Sequence, residues 1–167
     1  DLNIIVNNLS ITSSEQIMSE DDIELVFQVN YLSRFLLTNL LIPTLNQNKP
    51  ARIINVVGET PQTAKINFGN IDLDEEYDDD DAEVQANLAD IMYIQSLSER
   101  LVNTHITANS INPGKLTGEM HERHLIRKPV EMLFKKLFHK LDIWTSVSPE
   151  KAGVLVYGIS MNEAQKN

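Results

Sequence analysis

ARIINVVG, Ala51 to Gly58, is a short apolar run rich in β-branched residues and closed by a glycine. Such a run reads as a buried strand. Upstream, LNIIVNN (Leu2 to Asn8) has the same character and ends in turn formers. Downstream, ITANSINPG (Ile106 to Gly114) gives a third strand, broken by Pro113-Gly114. Helical patterns separate them. The first begins near Ser19-Glu20-Asp21-Asp22, acidic residues suited to a helix N-terminus, and runs through Ile23, Val26, Phe27, Leu32, Phe35, Leu36 and Leu40. Pro43 marks its expected end. The second runs from about Ala82 to Asn103 through Leu88, Ile91, Met92, Ile94, Leu97 and Leu101. An irregular acidic loop, about 59–81, precedes it. A basic amphipathic stretch covers about 119–141, and Ser148-Pro149-Glu150 reads as a further helix start. Continuous apolar strands alternating with helices predict an α/β fold with a parallel sheet covered on both faces.

The 167 residues suit one domain. From Ile71 to Glu83 there are nine acidic residues and no Lys or Arg, so of a net charge of -10 the rest of the chain carries only -1. No clustered basic face is present for a phosphate backbone, which argues against nucleic acid as a partner. The absence of cysteine excludes a disulfide framework, a cysteine zinc site and a thiol nucleophile. No run approaches the roughly 18 apolar residues of a membrane span, and no basic-then-apolar leader appears. Together these favour the cytoplasm. The chain starts at Asp1, without Met, next to an apolar run, so further residues upstream are expected.

The four histidines, His105, His121, His124 and His139, lack partners at ligand spacing, so no metal site is expected. Asn8-Leu9-Ser10 matches a glycosylation sequon that is not expected to be used, and Asn7-Asn8 reads as a plain strand-ending turn. The acidic run lacks the glycine turn of a calcium loop and reads as a solvated loop. Its Asp74–Asp81 segment is also the surface that would suit a basic protein partner.

In order and spacing these segments resemble the short-chain dehydrogenase/reductase family. LNIIVNNLS resembles its LDVLVNNAG strand, DDIELVFQVNYLSRFLLTNLLIP its long VN-bearing helix, ARIINVV its RIVNVSS strand, and INPG its HPG or NPG turn. The retinol-dehydrogenase-like branch is most similar. Its IDFDDL…YSPMKAYGQSKLANVLF runs without a gap against INFGNIDLDEEYDDDDAEVQANLADIMY. The resemblance implies a partial doubly wound, Rossmann-like sheet. Residues 1–167 would form a single incomplete domain holding the second half of that sheet, about three strands with flanking helices. The 119–141 stretch would be lid-like. The family's first strand and glycine-rich turn would lie upstream of Asp1. With those strands missing, the edge of Leu2 to Asn8 would be bare, so marginal stability or a homodimer is expected.

The resemblance also implies a chemistry and shows it altered. The family moves a hydride between NADP or NAD and an alcohol or carbonyl carbon, here of a small lipophilic substrate. A Tyr, its pKa lowered by a Lys four residues on, passes the proton. A Ser holds the substrate oxygen and an Asn supports the Lys. On the ungapped register Glu83 stands at the Tyr position, Asn87 at the Lys position and Gly58 at the Ser position; only the Asn is kept, as Asn30. No slip restores the pair, because four residues beyond Tyr31, Tyr77, Tyr93 and Tyr157 stand Phe35, Asp81, Leu97 and Met161. A glutamate of pKa ~4.3 accepts a proton but at pH 7 holds none to give, unless burial raises it strongly. On the cofactor wall the resemblance retains Asn8, Pro113 and Gly114, while Leu9-Ser10 replaces the usual Ala-Gly and Gly118 the usual Thr. The implied function is a short-chain dehydrogenase/reductase homologue, ancestrally an NAD(P)-dependent oxidoreductase of retinoid, steroid or lipid alcohols and carbonyls, with its catalytic set degraded. The alternative is a non-catalytic interaction scaffold that uses the acidic loop.

Overall fold

A computed structural model describes residues 2–47, 50–116, 146–147, 151 and 153–154. The 119–141 stretch, Ser148-Pro149-Glu150, and His121, His124 and His139 lie outside them. The chain divides into two compact units, Asp1–Asn112 and Pro113–Asn167.

The first unit carries the elements β1 (Ile4–Asn7), α1 (Leu25–Phe27), a π-helical segment (Gln28–Leu32), α2 (Ser33–Leu45), β2 (Ala51–Val56), α3 (Asp79–Arg100) and β3 (Ile106–Ile111). The three strands form one parallel sheet in the order β1-β2-β3, as the strand–helix alternation requires. Register aligns two rows across it. Ile5, Ile53 and Ala108 make an apolar row; Asn7, Asn55 and Ser110 make a polar one. The apolar row joins Leu45, Tyr93, Ile94, Leu97 and Leu101 in the main core. A second cluster packs Ala82, Ala86 and Ala89 of α3, three small residues on one face, with Val26 and Phe27. The opposite sheet face differs from the expected two-sided burial. Val6 is 42% exposed, and Thr107 and Asn109 are exposed.

Several boundaries differ from the sequence reading; α3 ends at Arg100 rather than about Asn103, and β3 at Ile111. The first helix starts at Leu25, not near Ser19. Ser19 to Asp22 instead form a turn, in which Ser19 Oγ accepts from the Asp21 and Ile23 N–H groups and Asp22 takes φ 57°. The cap is Glu24, buried, whose two carboxylate oxygens accept from Val26 N (2.9 Å) and Phe27 N (2.7 Å). Pro43 does not end the helix, which continues to Leu45, where Asn46 N–H donates to Ile42 C=O. The acidic loop ends earlier than Asp81: Asp78 caps α3 by accepting from Asp80 N and Asp81 N, and Asp79–Asp81 form its first turn. There the carboxylates meet the positive end of the helix dipole.

The Leu25–Leu45 helix also corrects the membrane reading, being long and apolar enough to cross a bilayer by length and composition. It packs Arg34, Thr38 and Leu45 inward while Leu36, Leu37 and Leu40 stay exposed.

The second unit pairs β4 (Lys115–Leu116) with β5 (Ser146–Val147) in parallel. Gly114, just before β4, has φ 86°, a conformation that favours glycine.

Candidate functional site

The chain leaves β2 through Val57 and Gly58, and α3 passes beside that exit. Gly58 N–H donates to Asn87 Oδ1 at 3.2 Å. Gly58 C=O accepts from Asn112 Nδ2 at 3.4 Å. A Cβ built on Gly58 would stand 2.7 Å from Asn87 Nδ2 and 3.0 Å from Glu83 Oε1. The structure thus brings Gly58, Glu83 and Asn87 together, with the glutamate and the asparagine on one helix face, four residues apart. Asn87 is buried at 4% exposure, and its Nδ2 has no hydrogen-bond partner. Glu83 is half-buried. A hydroxymethyl side chain has no room at residue 58 while that amide stays in place.

Asn30 has another task. Its amide accepts from Ile11 N–H and donates to Ile11 C=O, both at 2.9 Å. It lies in the π-helical segment, 1% exposed, clamping the loop after β1 onto the helix. This is a satisfied buried amide.

The polar row leads to residues that the motif reading missed. Asn7 Nδ2 donates to Thr38 Oγ1 (3.1 Å) and Asn55 Oδ1 (2.8 Å), and Asn55 Nδ2 donates to Asp90 Oδ1 (2.6 Å). Arg34 Nη1 donates to Asp90 Oδ2 at 2.8 Å and to Val56 C=O at 3.0 Å, and its Nη2 donates to Leu9 C=O at 2.6 Å. The ion pair is buried, at 5% and 0% side-chain exposure. Burial pushes the Asp90 carboxyl above the ordinary carboxylate range; Arg34, then Asn55, pull it back in part. A signal for this pair existed. Arg34 is the single charged residue from Leu25 to Leu45, and Asp90 the single one from Val84 to Leu97. A lone charge on an apolar helix is buried only when paired.

The three described tyrosines Tyr31, Tyr77 and Tyr93 are all pushed further above neutrality. Burial, with Glu24, Asp79 and Asp78 nearby, pushes Tyr77 up to about 12. Burial likewise takes Tyr93 to about 12, and raises Tyr31 with Asp90 adding to it. Tyr77 OH donates to Ser13 C=O, and Tyr93 OH accepts from Asn39 Nδ2.

The acidic run is partly spent inside the fold. Asp72 Oδ1 accepts from Glu24 N–H, and Asp74 Oδ1 accepts from Gln16 Nε2. Among the described residues no group of three or more acidic or histidine side chains could hold a metal. Asn8 is exposed at the end of β1, followed by Leu9 at 71% exposure. Pro113 and Gly114 belong to the second unit. The residues here do not fit the proton relay that the resemblance implies. The Lys position holds a neutral amide whose oxygen is taken by Gly58 and whose nitrogen is sealed off.

A sequence model of the short chain dehydrogenase family matches residues 1–69. Human retinol dehydrogenase 14 is 32% identical over 164 residues, covering 92% of this chain and 48% of that protein. Mouse retinol dehydrogenase 13 is 35% identical over 120 residues, covering 71% of this chain and 36% of the relative. The chain therefore spans about half the length, or less, of these relatives. Among solved structures, the RhlG/NADP active-site complex of Pseudomonas aeruginosa superposes with a TM-score of 0.69 at 23% identity, covering 99% of this chain and 62% of that one. An uncharacterised Mycobacterium paratuberculosis protein gives 0.60 at 26% identity, over 67% of this chain and 41% of the other.

Proposed function

The chain belongs to the short-chain dehydrogenase family, retinol-dehydrogenase-like branch, and from that premise we propose that it is a member that holds a retinoid-type ligand without turning it over. One observation carries this reading. At the positions where the resemblance places Ser, Tyr and Lys, Gly58, Glu83 and Asn87 form a single cluster. A phenol of pKa ~10 passes a proton near neutrality only with a cation beside it. Here the cation position is an amide that ties α3 to the end of β2. General acid–base groups each contribute ~10²–10⁴ to a rate, so loss of the Tyr–Lys pair and the Ser removes most of the ancestral acceleration. The raised tyrosines remove the obvious substitutes.

The ligand class rests on the retinol dehydrogenase relatives. The test is to mix the chain with all-trans-retinol and NADP, following retinol fluorescence for binding and chromatography for retinal. Binding without retinal is expected. Retinal formed at a rate proportional to the chain would overturn the reading.

A further inference from the structure

We infer that the outward face of α2 docks a second copy of this chain, the two copies packing that face against itself in antiparallel. The inference is independent of the non-catalytic reading above.

From Leu25 to Leu45 the helical run carries one charged residue, Arg34. Arg34 points inward to Asp90, and Thr38 and Leu45 are buried with it. The outward side holds Leu36 (59% exposed), Leu37 and Leu40 (66% exposed), with the exposed Ser33, Pro43 and Thr44 among them. A helix in water ordinarily sets charged residues on that side. α3 extends the patch. The Phe35 ring meets the Tyr93 ring edge-on at 4.8 Å, so the two helices lie side by side there, and Phe35 and Met92 are themselves exposed. Single exposed leucines are ordinary, but an uncharged patch of this kind on two packed helices marks an interaction surface.

Charge at the ends of the run selects the occupant. Ahead of Leu25 stand Glu20, Asp21 and Asp22, all exposed. After Leu45 the first charged residues are Lys49 and Arg52. α3 has the same polarity, with Asp80 and Asp81 in its first turn and Arg100 in its last. The run has 21 residues, about 31 Å at the helical rise, so its acidic start and basic end are far apart. In a two-fold antiparallel pair the acidic start of each copy lies over the basic end of the other, and the uncharged middle meets itself. The face thus carries its own complement, as a contact between identical surfaces requires. A bilayer suits it less. Helices that lie on membranes set Lys and Arg beside their apolar face, whereas this run is led by carboxylates on a chain of net charge -10. A patch of this size makes a small interface, which places the exchange between monomer and dimer in the micromolar range.

The experiment is sedimentation velocity on the whole chain. A dimer is expected to grow in over about 1–100 μM. Leu36→Glu with Leu40→Glu, both at exposed positions, is expected to weaken association about a hundredfold or more while circular dichroism stays native. The chain has no cysteine, so single cysteines report the pairing. A disulfide forms only where the two Cα atoms come within about 7 Å. Leu36→Cys, near the middle of the run, is expected to cross-link to its copy under mild oxidation. Asn46→Cys, just past its end, is expected not to, because an antiparallel pair holds the two ends apart. A monomer throughout the concentration range, no cross-link at Leu36→Cys, or a cross-link at Asn46→Cys would overturn the inference. So would a dimer indifferent to the double glutamate variant, which would move the contact to another surface such as the β1 edge. A monomer that binds phosphatidylcholine vesicles, and loses that binding in the same variant, would overturn it in favour of a bilayer.

Discussion

At the residue scale, Gly58 and Asn87 are a matched pair. Gly58→Ser would place its Cβ 2.7 Å from the Asn87 amide, so overpacking is expected to cost about 1–3 kcal/mol in chemical denaturation. Most of that loss is expected to vanish in an Asn87→Ala background, since the residues are in contact and their effects do not add. Additive losses would mean that the two do not share the space. The Arg34–Asp90 pair makes a second prediction. Arg34→Met alone leaves a buried carboxylate without its cation and is expected to cost about 3–5 kcal/mol, whereas Arg34→Met with Asp90→Leu is expected to be near neutral. The pH dependence follows from the raised Asp90 carboxyl. An acid whose folded pKa lies above its unfolded value favours folding most when protonated. Its contribution is therefore full below the ordinary carboxylate range and lost as pH rises through the raised value. Urea midpoints measured across acidic pH are expected to show this leg in the native chain and not in the double variant.

At the element scale, the caps explain both what the sequence revealed and what it hid. The strands were legible because β-branched runs in a sheet packed this way have few other readings, and β2 was found within two residues. The start of the first helix was not legible. Ser19 and its acidic neighbours carry the local signature of a cap, yet Asp72 reaches across from the loop before α3 to take the Glu24 N–H. That contact spans 48 residues and leaves no local trace. Pro43 misled for a related reason: packing of Leu45 into the core carries the helix two residues beyond a proline. Asp78 is the testable cap. Asp78→Ala is expected to cost about 1 kcal/mol, while Asp80→Ala, one turn position that accepts no cap bond, is expected to change the denaturation midpoint far less.

At the scale of the whole molecule, the parallel sheet and its helices follow the family pattern, while the positions that the resemblance gives to Ser, Tyr and Lys hold Gly58, Glu83 and Asn87. The sequence named the substituted positions, but not that they touch, because the Gly58–Asn87 contact joins residues 29 apart. Nor did it show that the Asn30 amide bonds both the N–H and the C=O of Ile11. The buried polar line from Thr38 through Asn7, Asn55 and Asp90 to Arg34 ties α2, the sheet and α3 together. None of its five members is Gly58, Glu83 or Asn87. The most direct measurement is retinol production from all-trans-retinal and NADPH by the native chain, alongside Glu83→Gln. No retinol above the protein-free rate is predicted for either. Retinol produced by the native chain and lost in Glu83→Gln would show Glu83 passing the proton, and would contradict the account.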